Sequence, residues 1–123
     1  MTTASEPIRW DRTIYRGTDH EWTLRRLDSS GNPIIPASAQ AQLRKSYGGA
    51  IWVEMDSENT VGAHIEIDEV TGWVTIVIPR SNTSGSDWDS RKEGIWDLKV
   101  FDADGKATRW AEGRVSVSQD VTR

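Results

Sequence analysis

The chain has 123 residues, enough for one domain that folds without disulfide bonds, and its lack of cysteine excludes disulfides, thiolate metal sites and cysteine nucleophiles. Its 15 basic and 19 acidic residues give a net charge of −4, which disfavours nucleic-acid binding because that binding needs a basic face. No apolar run approaches the roughly 20 residues of a membrane-spanning helix, and the first residues lack the pattern of a signal peptide. We therefore expect neither a nucleic-acid partner nor a membrane partner.

Apolar and polar residues alternate from the start of the chain, which is typical of β-strands. A short first strand surrounds Ile14, and the segment "HEWTLRRL" places Trp22 and Leu24 on one face of a second strand. Turn residues follow in "SSGNPI". The next segment, "ASAQAQLRKS", is rich in Ala and Gln, but its strict alternation predicts a strand rather than a helix.

The middle of the chain predicts another strand, a hairpin and the longest loop. The segment "YGGAIWVEMD" carries Ile51, Val53 and Met55 in phase. In "HIEIDEVTGWVTIVIP", two alternating segments flank the turn "DEVTG", and Pro79 ends the second because it lacks the N–H that a ladder needs. The polar segment "RSNTSGSDWDS" then predicts a short irregular loop or helical turn near residues 81–92.

Two further strands are predicted in the last third of the chain. The segment "GIWDLKVFD" places alternate apolar residues on one face, and "DADG" is a hairpin-turn signal. The last strand lies in "ATRWAEGRVSVSQDV", with Gly113 as a candidate β-bulge. Val115 and Val117 predict that this strand completes the domain's own sheet, while the final "DVTR" is expected near a partner.

These elements predict an all-β fold. About seven to eight short strands over one core favour a single antiparallel β-sandwich of the immunoglobulin-like kind, with a small β-barrel as the alternative. The sequence shows no internal repeat and no domain linker. We expect residues 1–7 to form a flexible N-terminal segment and residues 8–123 to form the sandwich domain.

Few residues suggest catalytic or metal chemistry. The segment "HIEID" puts His64, Glu66 and Asp68 on one face of a strand, but alternation alone produces this pattern on the solvent face of any half-buried strand. Asp87 and Asp89 flank an indole in a Ser- and Gly-rich loop, as in a glycosidase or a sugar-binding loop. We expect no cofactor, no metal and no catalytic residue, and an enzyme would need the two aspartates or His64 to gather in a cleft.

Tryptophan is the unusual feature of the composition, with seven residues against one Phe and two Tyr. Seven indoles exceed the needs of a small core, so some are expected near the surface, where indoles suit interfaces. Trp52 and Trp73 are out of phase with their strands, and Trp110 becomes ambiguous if Gly113 shifts the register. The predicted interface residues are Trp52, Trp73, Trp88, Trp110, Val121 and Arg123.

Three stretches carry a family resemblance: "YRGTDHEWTLRRLDSSGNPI", "GWVTIVIPRSNTSGSDW" and "GIWDLKVFDADGKATRWAEGRVSVSQDVTR". In this order they resemble small β-sandwich structural proteins of tailed bacteriophages, the long-tail-fibre-like and baseplate-like domains found in phages of actinobacteria. The resemblance runs from about Ile14 to Arg123, nearly the whole chain. The tryptophans at positions 52, 88 and 110 are not part of the family pattern.

The resemblance implies a non-enzymatic structural protein in the tail, baseplate or fibre-attachment region of a virion. Such a protein is made in the host cytoplasm and assembles with other virion proteins in symmetric copies. The resemblance implies no catalytic residue. The alternative is a carbohydrate-binding β-sandwich module that recognises a host glycan through Trp88 and other exposed tryptophans.

Overall fold

The computed structural model of the protein describes residues 6–119, which form nine β-strands and two short 3₁₀ helices. The fold is all-β, as predicted, and none of the described helices is long and apolar enough to cross a membrane. The 3₁₀ helices, Arg80–Asn82 and Ser86–Trp88, lie in the predicted loop. The strands are β1 (Ile8–Arg9), β2 (Arg12–Tyr15), β3 (His20–Leu24), β4 (Ser38–Arg44), β5 (Ile51–Asp56), β6 (His64–Ile67), β7 (Val74–Ile78), β8 (Glu93–Phe101) and β9 (Ala107–Ser118).

The strands form two sheets on one apolar core, which is a β-sandwich. The larger sheet has the order β1-β9-β8-β4-β5, with β2 also paired to β9, and the smaller sheet has the order β3-β7-β6. In an immunoglobulin-type sandwich, one sheet has the strand order G-F-C-C′ and the other has the order B-E-D. The orders β9-β8-β4-β5 and β3-β7-β6 correspond to these. The strand order therefore agrees with the predicted immunoglobulin-like arrangement.

The last strand lies inside its sheet rather than at an edge. Strand β9 pairs antiparallel with β8 on one side, and on the other it pairs in parallel with β1 and β2, where Ile8 is opposite Ala111 and Arg12 is opposite Val115. The prediction that β9 completes the domain's own sheet is confirmed. The parallel pairing was not predicted, because alternation within a strand contains no information about its neighbour's direction.

The two ends of the sandwich carry different connections. At the hairpin end lie the β3–β4 connection (residues 25–37) and the turns at 68–73 and 102–106. At the loop end lie the turns at 16–19 and 45–50 and the loop at 80–92. We use these two names below. Because β1 and β2 run parallel to β9, the described chain begins at the hairpin end and finishes at the loop end.

Two β-bulges move tryptophans onto the core side of the larger sheet. Trp52 has no opposite residue where the β4–β5 register shifts, and Trp110 has none where the β8–β9 register shifts. A bulge turns the strand locally and lets two successive residues face one side. Trp52 accordingly packs against the core beside buried Val53, and Trp110 is buried beside Ala111.

Gly113 is not the bulge that the sequence suggested. It pairs regularly with Trp96, and the register shift lies at Trp110 instead. The structure gives Gly113 another role, because a Cβ atom there would lie 2.3 Å from the carbonyl oxygen of Trp10. Glycine thus allows the N-terminal strands to approach β9.

A buried arginine fixes the 80–92 loop to both terminal strands. The guanidinium of Arg16 is 5% exposed, forms an ion pair with Asp89, and donates to Gly85 O at 2.9 Å and Gln119 Oε1 at 2.8 Å. Beside it, the Gly17 N–H donates to the hydroxyl of the fully buried Thr83 at 2.9 Å. These contacts give the "YRGTD" segment a structural role at the loop end.

Candidate interaction surfaces

Two of the predicted interface tryptophans lie in the core. Trp88 and Trp110 are each 1% exposed, so the prediction that they form part of a contact surface is wrong. The 3₁₀ helix Ser86–Trp88 turns the indole of Trp88 inward, and the β8–β9 bulge does the same for Trp110. Neither effect follows from strand alternation, because both break its period of two.

Trp73 is exposed, as its position out of phase with β7 predicted. Its side chain is 41% exposed, and the guanidinium of Arg25 lies 4.8 Å from the centre of its ring. This cation–π contact holds the indole over the surface of the smaller sheet. The role of Trp73 in binding a partner stays a prediction. Val121 and Arg123 lie outside the described residues.

The loops at the hairpin end carry four exposed apolar side chains, which we call the hairpin-end patch. Its members are Leu27, Ile35, Val70 and Trp73, and their exposed fractions run from 40% for Leu27 to 84% for Val70. Exposed apolar side chains are common singly, but several of them on neighbouring loops at one end of a small domain are a candidate interaction site.

The two loops that carry this patch are packed together. Gly72 has a φ of +78°, and a Cβ atom there would lie 2.8 Å from the carbonyl oxygen of Ile34. Asp68 accepts hydrogen bonds from the backbone N–H groups of Val70 and Thr71, at 2.9 and 3.0 Å, and these bonds lower the pKa of its carboxyl. The turn at 68–73, which carries part of the patch, is therefore held in place by these backbone contacts.

A groove runs beside the patch, between the β3–β4 connection and the β8–β9 hairpin. Its apolar lining comes mainly from Ile34, Ile35, Pro36 and Phe101. Asp102, Lys106 and Arg109 supply charged groups to the lining. Protein–protein interfaces also combine apolar and charged side chains.

Trp52 lies at the loop end, half-buried, in the wall of a second groove. Its position between Ile51 and Val53 predicted that it points outward, but the bulge turns it towards the core. Ile51 is the exposed residue instead, at 43%. Its indole packs edge to face on Trp88, with ring centres 5.8 Å apart, and the guanidinium of Arg91 lies 5.4 Å from its ring centre.

The carboxylates and histidine that suggested catalysis each have a separate partner. Asp89 pairs with Arg16, and Asp87 lies 3.5 Å from Arg91. His64 Nε2 lies 2.9 Å from Glu66, and its Nδ1 lies 2.7 Å from the carbonyl oxygen of Gly62. These two contacts raise the pKa of His64 above its ordinary value. Within residues 6–119, no three His, Asp or Glu side chains are grouped to hold a metal ion.

The second histidine is buried in the seam between β2 and β3. His20 is 9% exposed, and its Nε2 accepts a hydrogen bond from the Tyr15 N–H at 3.0 Å. The imidazole stacks on Tyr15, with ring centres 6.2 Å apart. Burial lowers the pKa of His20, so the neutral form is favoured. Its contacts are those of a structural histidine.

Sequence reasoning missed several residues of these surfaces. Val70 and Ile35 are exposed members of the hairpin-end patch, and the guanidinium of Arg91 lies near the rings of both Trp52 and Trp88. The exposure of Val70 could have been predicted, because an apolar residue inside a polar turn such as "DEVTG" lies away from the core. The contact of Arg91 with Trp52, which is far away in the sequence, had no such signal.

No protein-family model matches the chain, and no curated protein is similar to it in sequence.

Proposed function

We propose that the protein is a non-enzymatic structural component of a tailed-bacteriophage virion, in its tail, baseplate or fibre-attachment region. It assembles there in symmetric copies with other virion proteins. The sequence motifs from Ile14 to Arg123 support this role, and the all-β sandwich is compatible with it. The separate partners of Asp87, Asp89 and His64 support a role without catalysis.

The observation that carries the proposal is the hairpin-end patch. Its apolar side chains are held on two loops that brace each other, so little conformational entropy is lost when a partner covers them. Trp73 and Arg25 are residue types that often dominate binding energy at interfaces. A stable contact there would bury on the order of 1,000 Å² or more in total.

Co-expression with phage tail and baseplate proteins tests the proposal. We expect a defined complex with at least one of them in sedimentation or light-scattering measurements. The double variant Ile35→Asp/Val70→Asp places two charges in the patch and should prevent this complex. Tyr47→Asp is the matched control, because Tyr47 is 87% exposed but lies at the loop end.

Particles provide a second test. Antibodies against the protein should label the tail region of purified virions, and peptide mass spectrometry should find it there in several copies. A wild-type chain that remains monomeric with every tail and baseplate protein tested would contradict the proposal. Assembly that is equally strong with Ile35→Asp/Val70→Asp would contradict the role of the patch.

A further inference from the structure

The groove beside Trp52 combines a rigid indole with charged and hydroxyl groups. Besides Trp52, its lining includes Lys45, Lys92 and Glu93, with the hydroxyl groups of Ser90 and Ser116. It lies at the loop end, away from the hairpin-end patch.

The indole of Trp52 is fixed in place before any ligand arrives. A Cβ atom on Gly94 would lie 2.7 Å from the six-membered ring of Trp52, so the indole rests directly on that glycine. Trp88 packs against one side of it, and the guanidinium of Arg91 lies near both rings, 4.5 Å from the centre of Trp88. A flat apolar surface held by its surroundings binds a ligand with little loss of side-chain freedom.

The charges around the indole favour an anion. Arg91 lies 3.5 Å from Asp87, so these two charges offset each other. Of the other charged side chains in the groove, Lys45 and Lys92 are exposed ammonium groups without an ion-pair partner within residues 6–119, against one carboxylate, Glu93. The groove therefore has a local excess of positive charge although the chain carries −4 overall.

The shape and chemistry fit a sugar better than a protein segment. A pyranose ring has one face of C–H groups that can pack on an indole by dispersion, while its hydroxyl groups need polar partners at the rim. The groove offers both in one place. Its apolar part, formed by Ala50, Trp52 and Val117, is too small to be the centre of a protein interface.

We propose that this groove binds an acidic saccharide. The sugar ring packs against the part of Trp52 that lines the groove, and its carboxylate is held by Lys45 and Lys92. The inference does not depend on the proposed assembly role, since it concerns the opposite end of the sandwich. It moves the sugar-binding alternative from Trp88, which is buried, to Trp52.

Titration of the full chain with two matched sugars tests the proposal. Methyl glucuronide and methyl glucoside differ only by the carboxylate, and binding is followed by the indole N–H signals in two-dimensional NMR. We expect saturable binding of the glucuronide with a dissociation constant of about 1–10 mM, and roughly tenfold weaker binding of the glucoside. High salt should reduce this difference, because the contribution of exposed charges is screened.

Variants separate the two halves of the proposed site. Lys45→Gln/Lys92→Gln should make the two sugars bind equally weakly, whereas Trp52→Phe should weaken both sugars while preserving their ratio. The control variants are Lys99→Gln, an exposed cation elsewhere on β8, and Trp73→Phe, an exposed indole at the other end; both should bind as wild type.

Three outcomes would overturn the proposal. The first is the absence of saturable binding of the glucuronide up to about 50 mM, well above the expected range. The second is equal affinity for glucuronide and glucoside. The third is tighter binding of a short Glu-containing peptide than of the glucuronide, since this would assign the groove to an acidic protein segment.

Discussion

The indole of Trp96 packs against that of Trp22 from the opposite sheet, with ring centres 5.4 Å apart and ring planes inclined by 61°. Trp96 also contacts Trp10, and its Nε1–H donates to the Trp10 carbonyl oxygen at 2.7 Å. One side chain thus joins both sheets and the N-terminal strands.

Replacement of Trp96 should show the two parts of this link. Trp96→Phe keeps a ring in the core but removes the N–H that satisfies the Trp10 carbonyl, so we expect it to lower the free energy of unfolding by about 1–3 kcal/mol. Trp96→Ala should lower it by about 3–5 kcal/mol. Urea unfolding followed by circular dichroism measures both. The control Trp73→Phe, at an exposed indole, should change it by less than about 0.5 kcal/mol.

Gly113 should tolerate no side chain. An alanine Cβ would lie 2.3 Å from the backbone oxygen of Trp10, so Gly113→Ala must push the N-terminal strands away from β9. We expect a loss of about 1–3 kcal/mol in the free energy of unfolding, as for other overpacked positions. Ser116→Ala is the matched control, because Ser116 is an exposed position of the same strand. Equal stability of the two variants would contradict this account.

Arg16 should control the order of the 80–92 loop. Arg16→Gln removes the donors to Gly85 and Asp89, so we expect a loss of about 1.5–3 kcal/mol in the free energy of unfolding and faster proteolysis within the loop. Asp89→Asn should cost less, because an amide oxygen at this position can still accept a hydrogen bond from the Arg16 guanidinium. A loop that resists protease equally in Arg16→Gln and wild type would contradict the prediction.

The two histidines should give opposite pH dependences of stability. The pKa of buried His20 is lowered below 6.5 by burial, so the unfolded chain takes up its proton first as the pH falls. The stability that neutral His20 contributes is therefore present above about pH 6.5 and decreases as the pH falls towards the folded-state pKa. In urea unfolding between pH 4.5 and 8, His20→Gln should show a shallower fall of stability on the acid side.

His64 should behave in the opposite way. Its pKa is raised above 6.5 by the Gly62 carbonyl and by Glu66, so the folded chain holds the proton more tightly than the unfolded chain. The resulting stability is present below about pH 6.5 and is lost as the pH rises through the folded-state pKa. The stability difference between wild type and His64→Gln should therefore shrink from pH 6 to pH 8. A difference that grows over this range would contradict the assignment.

Most of the fold could be predicted because local alternation was regular. The strict period of two in β4 identified a strand despite its Ala and Gln content, and Pro79 marked the end of β7. The two-residue β1 and the parallel pairing of β2 with β9 could not be predicted. A strand of two residues has no period, and pairing direction is decided by contacts across about 100 positions of sequence.

The candidate surfaces were predictable only where alternation held. Trp73 follows the phase of its strand and is exposed. Trp52 and Trp110 are each an extra, unpaired residue in the pairing of their strands. One extra residue reverses which side of the sheet a side chain is predicted to face. Trp88 belongs to no strand, so its burial depends on a 3₁₀ turn within a polar loop. In this small domain, the numerous tryptophans therefore belong more to the core than to the surface.

The parallel pairing of β2 with β9 also determines how the domain bears mechanical load. The described chain begins beside Trp110 and finishes at Gln119, about 30 Å away along β9. A pull on its two ends therefore acts along the strands, and the hydrogen bonds between β2 and β9 are loaded together in shear rather than opened one after another. We therefore expect these bonds to break together when the chain is extended, so that the sandwich resists tension applied along β9.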